Sequence, residues 1–249
     1  MKSFPFRIYL AALLLRLIPI LLTRSLGIGL DDMFQYDMLA RSLASGNGFR
    51  WYAQLDLKQL EPYVKFDLST ATGYDPQYGL YTSFRAPLYP AFLAIVYFFF
   101  GLDFSRFFAA RLAQVIFLGA PLAPLTYLVS RKLLPDSERT SQTSAWLVAA
   151  YPMLLVYPLG LGTENPFFVL LLSSFLFLLL SIETPSASRL LLSGLFLAPH
   201  CAHSLRHPSF RGVGDFVFVL PAPRKSFAGC SCLCAGCKPV GDSEFAVAP

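Results

Sequence analysis

Charge is scarce in this chain: 14% of its 249 residues are Asp, Glu, Lys or Arg, against roughly 25% in an ordinary soluble domain. With 55% hydrophobic residues, 24 phenylalanines and a mean hydropathy of +0.54, the composition argues against a free water-soluble domain and for an integral membrane protein. No block of lysine and arginine occurs, the 20 basic residues being scattered between apolar runs. The formal charge of +5 is therefore read as a topology signal, and a nucleic-acid partner is not expected. The first 197 residues contain neither cysteine nor histidine, which confines any thiolate or imidazole metal site to the tail. A cleavable signal peptide is the rival reading of the first apolar run but is not expected, because Arg16 interrupts the run and no Ala-x-Ala follows it.

What is present is a series of apolar stretches. The first, Ile8 to Leu30, reads as a retained span whose Arg16 faces other helices or water, since a mid-span arginine costs about 2.5–3.5 kcal/mol against lipid. Residues 31 to 86 follow, with seven acidic and five basic side chains, too charged to lie in lipid. Within them, Asp32 to Ala44 places Met33, Tyr36, Leu39, Ala40 and Leu43 at helical spacing, with Asp31 or Asp32 as cap and Gly46 to Gly48 as stop. This predicts an amphipathic helix on the membrane surface. The rest of the segment is rich in Tyr, Gly and Asp and reads as an ordered interfacial loop, its rings (Trp51, Tyr52, Tyr63, Tyr74, Tyr78, Tyr81) acting as anchors or stacking on a sugar or prenyl chain.

Residues 85–101, "RAPLYPAFLAIVYFFFG", are too short to span and are expected to stay at one interface. On that basis Phe107 to Ser130 runs inward and delivers Arg131, Lys132 and Arg139 to the cytoplasm, as the positive-inside rule asks. Thr143 to Leu161 then forms a third span and Asn165 to Ser181 a fourth. Asp31, Asp32, Arg85 and Glu164 all fall on the external face. The expected fold class is all-α: a polytopic membrane protein whose first external loop carries juxtamembrane amphipathic helices.

A fifth apolar stretch, Arg189 to Ala198, stops at about half a span. Residues 198–249 change character, carrying all five cysteines and all three histidines without periodicity. Cys230, Cys232, Cys234 and Cys237 invite a metal reading or a disulfide cluster, but only the last two have C-x-x-C spacing. A reading-frame shift fits better, making this tail non-native sequence beside a membrane part at 1–197.

A carboxylate at the membrane edge suits a general base towards a hydroxyl, and a guanidinium on the same side suits a phosphate. The order "DDMFQYDMLARSLASGNGF", "FRAPLYPAFLAIVYFFFG", "AARLAQVIFLGAPLAPLTYLVSRKLL", "AAYPMLLVYPLGLGTENPFF" resembles the N-terminal half of the GT-C membrane glycosyltransferases, in the bacterial branch related to protein O-mannosyltransferases and aminoarabinose lipid A transferases. The resemblance covers about residues 6 to 197. It implies a bacterial inner-membrane enzyme moving a sugar, with inversion, from a polyprenyl-phosphate donor to a lipid, glycan or protein hydroxyl on the external face. Asp32 matches the family's first-loop aspartate, four residues before Tyr36, and is the implied base; Asp31 is its extra neighbour. Arg85 matches the basic residue before the proline segment, although Ala86 replaces the family's first proline, and is implied to hold the donor phosphate. Glu164 matches an acidic residue between the third and fourth spans and would orient the acceptor or help hold a cation; capping is the ordinary alternative for each acid. No cofactor is implied, though a divalent cation is one way to balance the leaving phosphate. Family members carry about a dozen spans, so the resemblance is to a truncated half, and the chain's own activity does not follow from it. A transporter or a non-catalytic scaffold is the alternative class.

Overall fold

The computed structural model describes residues 3–64, 68 and 70–204, and within them the chain is mostly helical. Three helices are long and apolar enough to cross a membrane: Phe4–Leu22, Arg106–Leu133 and Glu164–Glu183. The tail read from 198 onward lies outside the described residues beyond Ser204, its cysteine-rich stretch included.

The first of these, α1 (Phe4–Leu22), is capped by Thr23 and ends eight residues before the apolar run itself stops at Leu30. Its buried stripe is Ile8, Ala12, Arg16 and Ile20, one residue per helical turn. The stripe packs against Ala120, Ala123, Tyr127, Ala145 and Ala149; alanines let helix backbones approach closely where lipid offers no hydrophobic drive.

Next, α2 (Asp32–Ala44) occupies the span read from the sequence. Asp31 caps it, its carboxylate accepting the Met33 N–H at 3.0 Å, and Gly46 at φ 76° follows its end. A two-residue antiparallel ladder joins β1 (Arg50–Trp51) to β2 (Leu80–Tyr81), with α3 (Gln54–Leu60) between them. Then α4 (Leu88–Phe100), only 13 residues long, packs on α2 and on α5 (Arg106–Gln114). A π-helical turn, Val115–Gly119, links α5 to α6 (Leu122–Leu133).

The expected third span is not one helix. It consists of α7 (Glu138–Ala150), α8 (Pro152–Val156) and a 3-10 turn at Tyr157–Leu159. The cause is Pro152, which has no N–H to give the Val148 carbonyl and forces Tyr151 into an extended ψ of 119°. Arg16 repairs the gap. Its Nη2 donates to the Val148 carbonyl at 3.1 Å and its Nη1 to the Ala149 carbonyl at 3.2 Å, two of the four acceptors that a helix end leaves open. Gly119 makes room for it, since a Cβ there would stand 3.0 Å from Arg16 Cδ. The guanidinium expected to face other helices is thus a side-chain substitute for missing backbone donors.

Finally α9 (Glu164–Glu183) and α10 (Ala187–Ser204) form a hairpin held by Ser174 and Ser193, which exchange hydroxyl-to-carbonyl bonds at 2.9 and 3.0 Å. The fifth stretch is therefore helical and continues six residues past the compositional break at 198, although its apolar part, Ala187–Ala198, remains short.

Candidate functional site

Because Asp31 is occupied in capping, Asp32 at the first position of α2 keeps its carboxylate turned outward, with its side chain 64% exposed. Its Oδ1 accepts from Nη2 of Arg85. Arg85 belongs to the loop ahead of α4, and its side chain is only 15% exposed. Gln35, one turn along α2 from Asp32, fixes the guanidinium: its Oε1 accepts from Nε at 2.9 Å and from Nη2 at 2.7 Å. Tyr36 and Phe84 flank the same cation, their ring centroids 5.2 and 5.3 Å from its central carbon. Two residues separated by 53 positions are thereby joined through one helical turn.

The Tyr36 hydroxyl hydrogen-bonds the side chain of Thr163 and lies within the electrostatic reach of Asp32, Arg85 and Glu164. Burial raises the affinity of this phenol for its proton, the two carboxylates act in the same direction, and Thr163 and Arg85 oppose them. Glu164 opens α9 and is exposed. Its carboxylate folds back over Gly162, where a Cβ would collide with it; an acid in the first turn is also favoured by the helix dipole. The structure thus brings Asp32, Arg85 and Glu164 around Tyr36, and assigns Asp31 to the cap.

Behind this cluster stand polar groups that the sequence did not single out. Asp37, 1% exposed, accepts from Arg106 through both oxygens, at 2.8 Å from Nε and 3.1 Å from Nη2. Arg41 Nε at 2.8 Å and the Tyr97 hydroxyl at 2.9 Å complete its shell. Arg41 continues to the buried Asp56 at 2.6 Å; burial works against its charge, but the two carboxylates outweigh it and raise its proton affinity. Ion pairs tie α2 to α3 and α5, and the Tyr97 hydroxyl ties it to α4. Aspartate on the helix's apolar side with arginine four residues later was the available signal.

The segment 157–162 is held from beneath. Arg111 donates to the carbonyls of Leu159 at 2.8 Å and Gly27 at 2.6 Å, and also to that of Leu26. Gln114 donates to the Pro158 and Gly160 carbonyls at 3.0 and 3.2 Å, while its own oxygen accepts from Tyr89 at 2.6 Å and from Asn165 at 3.2 Å. The filled carbonyls of Pro158, Leu159 and Gly160 fix the stretch that presents Thr163 and Glu164. A cavity of about 820 Å³ opens between α6, α8 and α9, lined among others by Leu122, Val148, Leu154, Phe168 and Phe175.

Among the described residues no group of three or more His, Cys, Asp or Glu is placed to hold a metal ion. No protein-family model, no curated protein and no solved structure matches this chain.

Proposed function

We propose that this chain carries the catalytic-loop part of a polytopic membrane glycosyltransferase of the GT-C type, working at the external face of a bacterial inner membrane. The carrying observation is the exposed Asp32 carboxylate paired with Arg85 beside Tyr36, Thr163 and Glu164. Three spanning-length helices and the resemblance of residues 6 to 197 support it.

In the reaction, Arg85 holds the phosphate of a polyprenyl-phosphate sugar; its Nη1 is the guanidinium nitrogen that neither Gln35 nor Asp32 engages. A phosphate competing for Nη2 also releases Asp32. Asp32 then takes the proton of an acceptor hydroxyl whose oxygen attacks the anomeric carbon from the face opposite the phosphate. The bond from that carbon to the phosphate oxygen breaks, its electron pair leaves with the lipid phosphate, and configuration inverts. Arg85 balances the departing charge, and Glu164 orients the acceptor.

The test uses the full chain in vesicles containing polyprenyl phosphate, compared with vesicles lacking it. Binding should depend on the lipid phosphate and fall about tenfold or more in Arg85→Gln, and any sugar transfer by the chain should be lost in Asp32→Asn. Equal binding by R85Q, or unchanged transfer by D32N, overturns the assignment.

A transporter is the second reading, favoured by the break at Tyr151–Pro152, since discontinuous helices line solute paths. Here, however, the freed carbonyls are filled by Arg16 rather than turned towards a solute.

A further inference from the structure

The sharpest backbone departure in the described chain lies beside the charged pair. Tyr52 is the one non-glycine residue among the described residues with positive φ, at 57°, a conformation L side chains adopt at a cost and which persists where the surroundings impose it. Three contacts impose it. The Tyr52 N–H points at Met38 Sδ at 3.4 Å; the Tyr52 hydroxyl hydrogen-bonds the side chain of Gln35; and Gly79 closes over the neighbouring backbone so tightly that a Cβ would run into the Trp51 carbonyl.

The result is an aromatic shelf. The rings of Trp51 and Tyr52 lie 4.9 Å apart, and those of Trp51 and Phe84 5.7 Å apart at 39°. Trp51 and Tyr52 rest on Phe34, Met38 and Leu60, so one side of the shelf is anchored, while Phe84 is 62% exposed and immediately precedes Arg85. Gln35 bonds both the Tyr52 hydroxyl and the Arg85 guanidinium, which ties the shelf to the anion-binding end of the site. Flat apolar rings beside a hydroxyl-orienting carboxylate and a cation match a ligand with one C–H-rich face and an edge of hydroxyls.

We infer that Trp51, Tyr52 and Phe84 form a subsite for a pyranose ring, which stacks its apolar face on the shelf and turns its hydroxyl edge towards Asp32. As a sugar subsite of an enzyme this rests on the proposed transfer function, but the shelf itself is testable as a carbohydrate site without it. A membrane anchor, the ordinary role of such rings, would have no reason to strain Tyr52 or to couple it to Arg85 through Gln35.

The chain contains two tryptophans, so Trp146→Phe on α7 leaves Trp51 as the sole indole reporter. In phosphatidylcholine nanodiscs, free of sugar detergents, this variant is titrated with methyl mannopyranoside, glucopyranoside and galactopyranoside, with glycerol as control. At least one pyranoside should change Trp51 emission saturably, and glycerol should not. Phe84→Ala, at an exposed position, should weaken the response about tenfold, whereas Glu138→Gln on α7, outside the site, should retain it. A response kept in E138Q and lost in F84A supports the shelf even if the chain transfers no sugar. No saturable response to any of the three, or an undiminished one in F84A, overturns it and leaves the phosphate-binding result with Arg85 untouched.

Discussion

At the scale of single residues, the charges divide into those that make the fold and those that face outward. Arg16, Arg111 and Asp37 are buried to within 1% exposure and have their partners inside the protein, whereas Asp32 and Glu164 are exposed. A buried charge needs hydrogen-bond partners; the two terminal nitrogens of Arg16 donate to three carbonyls, of Ala12, Val148 and Ala149, while its Nε is buried without one. Replacing it by methionine, which keeps an apolar stem of similar reach, leaves the broken helix without donors. Arg16→Met should therefore lower stability by about 2–4 kcal/mol, read as a fall in melting temperature in detergent; an unchanged melting point would mean the Val148 and Ala149 carbonyls need no arginine. The sequence signalled that Arg16 avoids lipid. It did not signal where the arginine goes, because its acceptors lie 132 and 133 positions away and exist only because Pro152 breaks the helix.

At the scale of elements, α2 was legible almost to the residue, since its cap, its apolar spacing and its glycine stop are all local. The third span was misread because an apolar average over 143–161 outweighs the local effect of Pro152, which removes a donor and extends the residue before it. The hairpin of β1 and β2 escaped notice altogether: two-residue strands have no periodicity to read. Its tightest point is Gly79, at φ 82° and against the Trp51 carbonyl, while Gly73 at φ 81° has nothing within 4 Å of a would-be Cβ. Gly73→Ala should thus cost only the backbone strain, roughly 1 kcal/mol, and Gly79→Ala at least about twice that. Hydrogen-exchange protection of the Arg50–Tyr81 ladder measures the difference, and equal effects at both glycines would refute the close approach.

On the scale of the whole molecule, the proposed site depends on loops from different parts of the chain sharing one side of a membrane. Gln35, Arg85 and Tyr52 come together through long-range loop packing that no local pattern encodes, so the site was legible only where the family resemblance named Asp32, Arg85 and Glu164. With the five native cysteines changed to serine, single cysteines replacing Glu61, Asp136 or Glu164 report sidedness to a membrane-impermeant maleimide. Positions 61 and 164 should label on intact cells and position 136 only after permeabilisation, because α4 is too short to cross. Labels on opposite sides for 61 and 164 would dissolve the site.

The capping of α7 by Arg16 also sets an order of events during synthesis. The helix bearing the guanidinium is made first, and the carbonyl of Ala149 emerges only 133 residues later. Through that interval the guanidinium of the nascent N-terminal segment must find its hydrogen bonds elsewhere, so α1 cannot take its final seat until the ribosome has passed the proline.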